Sequence, residues 1–351
     1  MKLLIRSRQA WLSPSIAAAA YLAWCGDCRA AGDPTWIHLH SPGFEEYSSA
    51  AAGPARETLR HFEFVRRFFE AALGGLPPES PPVYLVVFGS AQAYAPYRSH
   101  DWEAASYQRA NGRDMIAVGD ASQGSFSTAV HEYFHLWARR RNLRLPLWLN
   151  EGLAQLYSTL RLTLGGQVVG EAPAGFARQV ARYGWIPLGS VLSARQYPHA
   201  GDSVEVTSYY LESWALAHMV ELSADYRGRA SKILPAIEAG MSSEKALTKI
   251  YDKPLSEIET DLQGYLQVIE DRYETYRVKL PKPPKPGAIE PAAEFDRRLI
   301  LIQLLAGRSG TDEAREELEG TRPVNPCRCK PVAPPGSRAY AETGVQLAGS
   351  S

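Results

Sequence analysis

The sequence predicts an α+β fold, with strands concentrated before residue 120 and helices after it. Residues 83–88 (VYLVVF) form a continuous apolar run, which is typical of a buried strand, and residues 113–118 (RDMIAV) have the pattern of another strand. Long stretches with helical spacing of apolar residues follow from residue 128 onward. With 351 residues, the chain is long enough to bury a large core.

The elements can be assigned in order along the chain. Residues 36–40 (WIHLH) alternate as a short strand does, and residues 54–73 have the spacing of an amphipathic helix that Gly74 and Gly75 end. Residues 162–169 (LTLGGQVV) read as a hairpin or a loop with two glycines at its turn. A long helix opens at Ser208, and residues 228–251 and 254–277 give two further helical patterns that form a helical C-terminal subdomain.

The most informative stretch begins with His131, Glu132 and His135, in the order HEYFH. Ser127 or Thr128 is positioned to cap a helix there, and residues i and i+4 of a helix lie on the same face. Both imidazoles can therefore reach one zinc ion, while Glu132 lies beside it without binding it. From that position Glu132 can take a proton from a zinc-bound water, whose pKa the ion lowers toward about 7.

A hydrolytic zinc site needs a third protein ligand, and Glu151 is the candidate. The segment between His135 and Glu151 is long enough to end one helix, turn, and start a second helix that runs back along the first. Pro146 suits the first turn of that second helix, because its missing N–H group has no helical partner there. The sequence therefore predicts one Zn²⁺ per chain, held by His131, His135 and Glu151.

The run from Leu147 to Ala154 (LWLNEGLA) resembles the third-ligand segment of the gluzincin zinc metallopeptidases. The sequence of this run is similar to that of the membrane-alanyl-aminopeptidase family around the zinc site, and the wider chain is similar to the bacterial peptidase MA-like domains. The resemblance implies a thermolysin/gluzincin-like catalytic domain, a small mixed sheet plus metal helices, over residues 32–278. It also implies a peptide or protein substrate, hydrolysed by a zinc-bound water that Glu132 activates.

The same resemblance implies further roles. In the aminopeptidases a tyrosine on a later helix donates to the developing oxyanion, which corresponds to Tyr210 here, with Tyr209 as the alternative one residue away. The strand at residues 113–118 would be the sheet edge that pairs with substrate backbone, although an ordinary edge strand fits the pattern equally well. The aminopeptidase G-x-M-E-N motif is missing, which favours an endopeptidase.

The N-terminus predicts export. Residues 1–31 combine basic residues, a short apolar region and small residues near Ala30, as a cleaved signal peptide does. A lipid or uncleaved anchor, and hence membrane attachment, is an alternative, and a cytoplasmic start is another. The protein is expected in the periplasm or cell envelope, or secreted. Lysine plus arginine and aspartate plus glutamate both number 38, so no net charge attracts nucleic acid.

The sequence after residue 278 predicts three short regions. Residues 279–291 form a Pro-rich linker, residues 292–320 a helical hairpin, and residues 321–351 a disordered tail. Two other functions stay open. One is a catalytically silent, zinc-containing peptidase-fold binding protein, and the other is an envelope scaffold that acts through the C-terminal region. Zinc chemistry on a non-peptide amide is a further possibility.

Overall fold

The structure, a computed structural model, describes residues 35–101, 103–172, 175–196, 203–285 and 287–307. Within these ranges the protein has an α+β architecture built on a six-stranded mixed sheet and a small three-stranded sheet. None of the helices described is both long enough and apolar enough to cross a membrane.

Six strands form the main sheet, in the order β4-β5-β3-β2-β1-β9. Strands β2, β3 and β5 are parallel to one another, while β1, β4 and β9 are antiparallel to their neighbours. The small sheet has the antiparallel order β6-β7-β8. The strands are β1 (Ile37–His40), β2 (Phe44–Ser48), β3 (Val83–Val87), β4 (Ala105–Ala110), β5 (Arg113–Val118), β6 (Arg161–Thr163), β7 (Gly166–Val169), β8 (Glu274–Tyr276) and β9 (Glu290–Pro291).

Eleven α-helices and three 3₁₀ turns (Ala95–Tyr97, Arg227–Lys232 and Ile269–Asp271) are present in the described ranges. The α-helices are α1 (Ala52–Ala72), α2 (Ala91–Tyr94), α3 (Gln123–Arg140), α4 (Leu147–Tyr157), α5 (Phe176–Tyr183), α6 (Leu188–Ser193), α7 (Ser203–Leu222), α8 (Ile233–Glu238), α9 (Ser243–Tyr251), α10 (Leu255–Tyr265) and α11 (Glu294–Gly307).

Two apolar cores lie on opposite faces of the main sheet. The larger one joins the sheet to α1, α3, α4 and α7, and aromatic rings such as Phe62, Phe69 and Phe134 fill it. The smaller one lies on the other face, where Ile300 and Leu304 of α11 pack against Phe88 and Met115. Since both faces are covered, the sequence of the central strand β3 is a continuous apolar run.

Most of the predicted elements are confirmed. The strand at residues 83–88, the helix at residues 54–73 and the hairpin around Gly165 and Gly166 are all present within one to three residues of the predicted bounds. The long helix expected from Ser208 begins earlier, at Ser203. In place of the second predicted C-terminal helix, residues 255–265 form α10 and residues 274–276 form strand β8 of the small sheet. The prediction of one helix over residues 254–277 was therefore wrong, because α10 ends at Tyr265 and residues 274–276 pair with β7.

The predicted edge strand is also corrected. Residues 113–118 do form a strand, β5, but β5 lies between β3 and β4 and is not an edge. The edge is β4, which a two-residue turn at Asn111 and Gly112 connects to β5. Both turn residues have positive φ, 50° and 78°, as a type I′ hairpin requires.

The C-terminal region adds a strand to the main sheet and a helix on one of its faces. At the end of the predicted Pro-rich linker, β9 pairs with β1, and α11 then packs on the second face of the sheet. Helix α11 is the first half of the expected hairpin at residues 292–320. Its second half, the predicted tail at residues 321–351, the predicted signal or anchor at residues 1–31 and all four cysteines lie outside the described residues.

Glu212 on α7 is a buried carboxyl group away from the metal-ligand candidates. One of its oxygens accepts a hydrogen bond from the backbone N–H of Ile186, and the other has no hydrogen-bond partner in the described part of the chain. Burial raises the pKa of Glu212 to about 8, and the nearby carboxylate of Glu259 adds to the shift. The group is therefore neutral in the folded protein at pH 7 and ionised in the unfolded chain.

We expect Glu212→Gln to become relatively more stable than the wild type as the pH rises. Below about pH 4.5 the carboxyl is protonated in both states and does not contribute to pH dependence. Between about pH 4.5 and 8 only the unfolded wild type loses the proton, so its free energy of unfolding falls with pH. The gap between the two proteins should widen by about 2–4 kcal/mol between pH 5 and pH 9.

Urea unfolding at both pH values measures this gap. Glu238→Gln serves as the control, because Glu238 is exposed and its replacement should change stability equally at the two pH values. A gap that is the same at pH 5 and pH 9 for Glu212→Gln would show that Glu212 ionises normally in the folded protein.

Candidate metal and catalytic site

Helix α3 carries three of the candidate residues. It begins at Gln123, several residues before the predicted cap, and Ser122 is its N-cap: the Ser122 side chain accepts a hydrogen bond of 3.3 Å from the Ser125 backbone N–H. Neither Ser127 nor Thr128 caps the helix, because both lie inside its first turns and bond to carbonyl oxygens. His131, Glu132 and His135 therefore lie near the middle of α3, where the backbone is fully hydrogen-bonded.

Helix α4 brings the fourth residue back to them. Asn142 has a φ of 56°, and this left-handed residue turns the chain at the end of α3. Pro146 is the N-cap of α4, one residue before the first turn in which the sequence placed it. Helix α4 packs along α3, and Glu151, one turn in, points at the two histidines.

The ligand atoms of His131, His135 and Glu151 converge. The two Nε2 atoms lie 3.0 Å apart, His131 Nε2 is 3.2 Å from Glu151 Oε2, and His135 Nε2 is 3.5 Å from Glu151 Oε1. The Glu151 side chain is only 2% exposed, and the two imidazoles are partly exposed. Among the described residues, these three are the one group of histidine, cysteine or acidic side chains that could hold a metal ion.

The electrostatics of this group suit a cation. Burial by itself would raise the pKa of Glu151, but hydrogen bonds and charge from the two histidines hold it well below its usual range. Burial would likewise lower the pKa of His135, and the hydrogen bond and charge of Glu151 raise it instead. The buried carboxylate thus keeps its negative charge, which is the form that binds metal.

Asn150 is the polar side chain next to the second histidine. It raises the pKa of His135, although His135 Nδ1 makes no hydrogen bond of normal geometry within the described ranges. A ligating histidine commonly donates its second N–H group to such a neighbour, which fixes the ring orientation. Gln155 lies four residues after Glu151, and among the described hydrogen bonds its side chain makes none to His131 or His135.

Glu132 lies beside the converging atoms. Burial raises the pKa of its carboxyl, the neighbouring histidines lower it, and the carboxylates of Glu151 and Glu103 raise it further. A carboxyl group with a raised pKa can accept and return a proton more readily near neutral pH than an exposed glutamate can. Glu103 is held by hydrogen bonds from the Tyr94 hydroxyl (2.7 Å) and the Ser99 backbone N–H (3.0 Å).

The two tyrosines of α7 lie in different environments. Tyr209 is only 2% exposed and belongs to the main core, next to Ser213. Tyr210 is half-buried, and the charges of Glu151 and Glu132 add to burial in raising the pKa of its hydroxyl. Both charges act on Tyr210, whereas Tyr209 responds to Glu151 alone. The electrostatics therefore favour Tyr210 over Tyr209 as the tyrosine nearer the candidate site.

His218, eight residues after Tyr210, is not part of this site. Its ring is fully buried and bonds to the carbonyl oxygens of Gly170 (2.8 Å) and Arg272 (3.3 Å) and to the Tyr265 hydroxyl (3.0 Å). Burial lowers its pKa to about 4, so it stays neutral. His218 therefore anchors α7 to the small sheet and to α10.

A polar network that the sequence reasoning missed joins α3 to the edge strand. Buried Asp114 on β5 pairs with Arg139 and with Arg140 (2.8 Å), the two arginines in the last turn of α3. The hydroxyl of Tyr107 on β4 donates to Asp114 (2.8 Å) and accepts from Arg139 Nε (2.6 Å). These arginines therefore hold the C-terminal end of α3 against β4 and β5.

The edge strand itself could have been found from the sequence. An Asn-Gly pair between two strand-like runs is a strong hairpin signal, and residues 105–118 contain it at Asn111 and Gly112. The Asp114 network had no comparable signal, since the pairing depends on how α3 crosses the sheet.

No protein-family model matches this chain, and no curated protein matches it either.

Close packing between α4 and α7 positions Glu151. A Cβ atom added to Gly152 would lie 2.6 Å from the Ala217 Cβ and still nearer to the Ser213 carbonyl oxygen. The two helix backbones therefore touch at the residue that follows Glu151. Because the obstacle is backbone, it cannot move aside as a flexible side chain can.

We expect Gly152→Ala to destabilise the protein by about 1–3 kcal/mol through overpacking, although alanine is the better helix former. Gly264→Ala is the matched control, because an added Cβ at that helical position meets no atom within 4 Å. The control should be neutral or stabilised by up to about 1 kcal/mol. Urea unfolding of both variants measures the difference, and a Gly152→Ala protein as stable as the control would mean that α4 and α7 are not held this close.

Proposed function

We propose that this protein is a zinc-dependent metallopeptidase with a gluzincin-like catalytic domain, which cleaves internal peptide bonds of an extended substrate. The observation that carries the proposal is the convergence of His131, His135 and Glu151 beside Glu132. Two imidazoles and one carboxylate form a ligand set that fits zinc and leaves room for an open coordination position.

A zinc ion in this position would supply Lewis acidity, which polarises a carbonyl group and lowers the pKa of water. The residues of the chain account for the remaining steps. Glu132, with its raised pKa, takes a proton from the attacking water at a carboxylate oxygen and delivers it to the departing amine nitrogen. The Tyr210 hydroxyl donates a hydrogen bond to the oxygen that becomes negative during the attack.

Strand β4 supports an extended substrate. Ala110 and Arg113 close the two-residue hairpin, and the Gly119 N–H bonds to the Ala104 oxygen at 2.9 Å. Even-numbered residues of β4 therefore bond to β5, and the backbone groups of Ala105, Tyr107 and Arg109 point away from the sheet. An extended peptide can pair with these groups and lie along β4 beside α3.

The first test measures metal content and peptide hydrolysis together on the purified chain. We expect about one zinc per chain and cleavage within a broad peptide library. Glu132→Gln should keep the zinc and lose activity by about 10²–10⁴-fold, since the amide cannot accept the proton. Glu151→Ala should lose both zinc and activity.

Each outcome has a clear reading. Full activity of Glu132→Gln would overturn the assigned role of Glu132. Bound zinc without cleavage of any library peptide would refute the peptidase proposal and favour a silent binding protein. Stoichiometric zinc in Glu151→Ala would remove Glu151 from the ligand set.

The oxyanion role is tested by a matched pair of tyrosine variants. We expect Tyr210→Phe to lower kcat by about 10²–10³-fold with little change in KM, because the donor acts mainly in the transition state. Tyr209→Phe should have a small effect, since that hydroxyl lies within the core. Steady-state kinetics on one cleavable peptide measure both, and the reverse pattern would transfer the role to Tyr209.

A further inference from the structure

Helix α3 runs alongside the edge strand β4. The Glu103 carboxylate, just before β4, contributes to the raised pKa of Glu132, and further along the strand the hydroxyl of Tyr107 accepts a hydrogen bond of 2.6 Å from Arg139 Nε. The step from Glu132 to Arg139 is about 10 Å along a helix, and the step from Glu103 to Tyr107 is about 13 Å along a strand. A peptide that pairs with the outer edge of β4 therefore passes Arg139 as well as the candidate metal ligands.

The guanidinium group of Arg139 is held in one orientation and keeps an open side. Its Nε atom donates to the Tyr107 hydroxyl, and its Nη2 atom donates to the Asp114 carboxylate. Its Nη1 atom has no hydrogen-bond partner among the described residues, and the side chain is 36% exposed. An arginine whose planar fork is already oriented loses less conformational freedom when it binds a carboxylate. Arg139 is thus prepared to donate to a ligand beside β4.

The charges around Arg139 are not balanced. In the part of the chain that the structure describes, Asp114 is the one carboxylate that pairs with Arg139, and the nearly buried Arg140 already pairs with the other oxygen of Asp114 at 2.8 Å. Two arginines and one carboxylate leave one positive charge, which lies on the exposed Arg139. Arg109 adds a second, because its side chain is exposed and makes no hydrogen bond or ion pair with a described residue.

Both surplus charges lie on the α3 side of the edge. Arg109 is the register partner of Asp114, so their side chains lie on the same face of the sheet, together with that of Tyr107. Tyr107 and Arg109 also carry the outward backbone groups, and a substrate residue paired opposite either one points its side chain to this same face. An acidic side chain there would meet Arg139 or Arg109, whereas the carboxylate of Glu103 would repel it at the other end of β4.

We propose that Arg139 and Arg109 form a subsite for an acidic side chain of the peptide substrate, about two to four residues from the bond that is cleaved. Arg139 lies one helical turn beyond His135, about 6 Å, which equals about two residues of an extended chain. Arg109 lies two residues further along β4 than Tyr107. The cleavage itself rests on the proposed function, whereas recognition of the carboxylate at the edge can be measured without cleavage.

Peptide binding tests this subsite without hydrolysis. The probes are short amidated peptides of alanine and threonine that carry a single glutamate or a single glutamine at each position in turn. They are titrated into the full chain with Glu132→Gln, which should not cleave them, and binding is followed by NMR at the Tyr107 and Arg109 amides. We expect the best glutamate peptide to bind about 5–20-fold more tightly than its glutamine counterpart at low salt. This ratio should fall as the salt concentration rises.

Two further substitutions test the arginines separately. Arg109→Gln breaks no hydrogen bond or ion pair between described residues, so the fold should be intact. Arg139→Gln leaves Asp114 paired with Arg140. Each substitution should lower the glutamate preference by at least about 2-fold, and the two together should bring it close to one, since the positive charges are then gone.

Arg113→Gln is the matched control from the same hairpin. The Arg113 side chain lies on the opposite face of the sheet, 5.2 Å from the centre of the Tyr84 ring. A substrate side chain that points toward α3 does not meet it, so this variant should keep the full preference for glutamate.

Three results would overturn the subsite: no binding of either kind of peptide, equal affinity for glutamate and glutamine, or a preference that survives in the variant lacking both arginines. A preference seen only with peptides that keep a free C-terminal carboxylate would overturn it too, because a chain end and not a side chain would then be recognised. If the wild-type chain binds glutamate peptides selectively but cleaves none of them, the subsite stands and only the proposed function fails. Cleavage of glutamate and glutamine peptides with equal kcat/KM would have the opposite meaning.

Discussion

Helices α4 and α7 touch at Gly152, and the geometry of the candidate site depends on this contact. The missing side chain lets the two backbones meet, and the meeting fixes how far α4 can rotate. Glu151 is the neighbouring residue, so its carboxylate is aimed at His131 and His135 by the same contact. Tyr210 comes from the other helix of the pair, so one packing interaction positions both a ligand candidate and the proposed hydrogen-bond donor.

A second set of contacts holds the other side of the site. The Asp114 network ties the end of α3 to β4 and β5, and it involves two arginines of α3. The candidate ligands therefore lie between two fixed boundaries, the α4–α7 contact and the sheet edge. Buried charged hydrogen bonds of this kind depend strongly on geometry, so they favour one arrangement of the helix over neighbouring ones.

Local spacing made the candidate ligands predictable. His131 and His135 are one helical turn apart, and the turn residue Asn142 and Pro146 determine how the second helix returns. These features are encoded within a short stretch, so local spacing predicts that α4 returns along α3, while the contact with α7 sets the direction of the Glu151 carboxylate. The choice between Tyr209 and Tyr210 was harder, because adjacent residues on a helix differ by about 100° in direction and only tertiary packing decides which one faces the site.

Tertiary pairing explains the errors. The edge strand is β4 and not β5, because the hairpin at Asn111 and Gly112 adds one more strand beyond β5. The apolar pattern of residues 105–110 signals this strand only weakly. Residues 274–276 form a strand and not the end of the predicted helix, because they pair with β7, which is distant in sequence. Helix α11, the first half of the predicted hairpin, packs on the second face of the sheet, and local periodicity does not show such a tertiary contact.

The candidate ligands all come from one stretch of 21 residues, His131 to Glu151, and this has a consequence for folding and metal exchange. Closing a loop of this length costs little conformational entropy, and the cost grows only with the logarithm of its length. The two helices can thus form and meet through contacts of low sequence separation, ahead of the distant pairings of the main sheet. Under the proposed function, an ion held by these ligands would dissociate and return while the sheet stays folded, so loss of the ion and unfolding of the protein would be separable events.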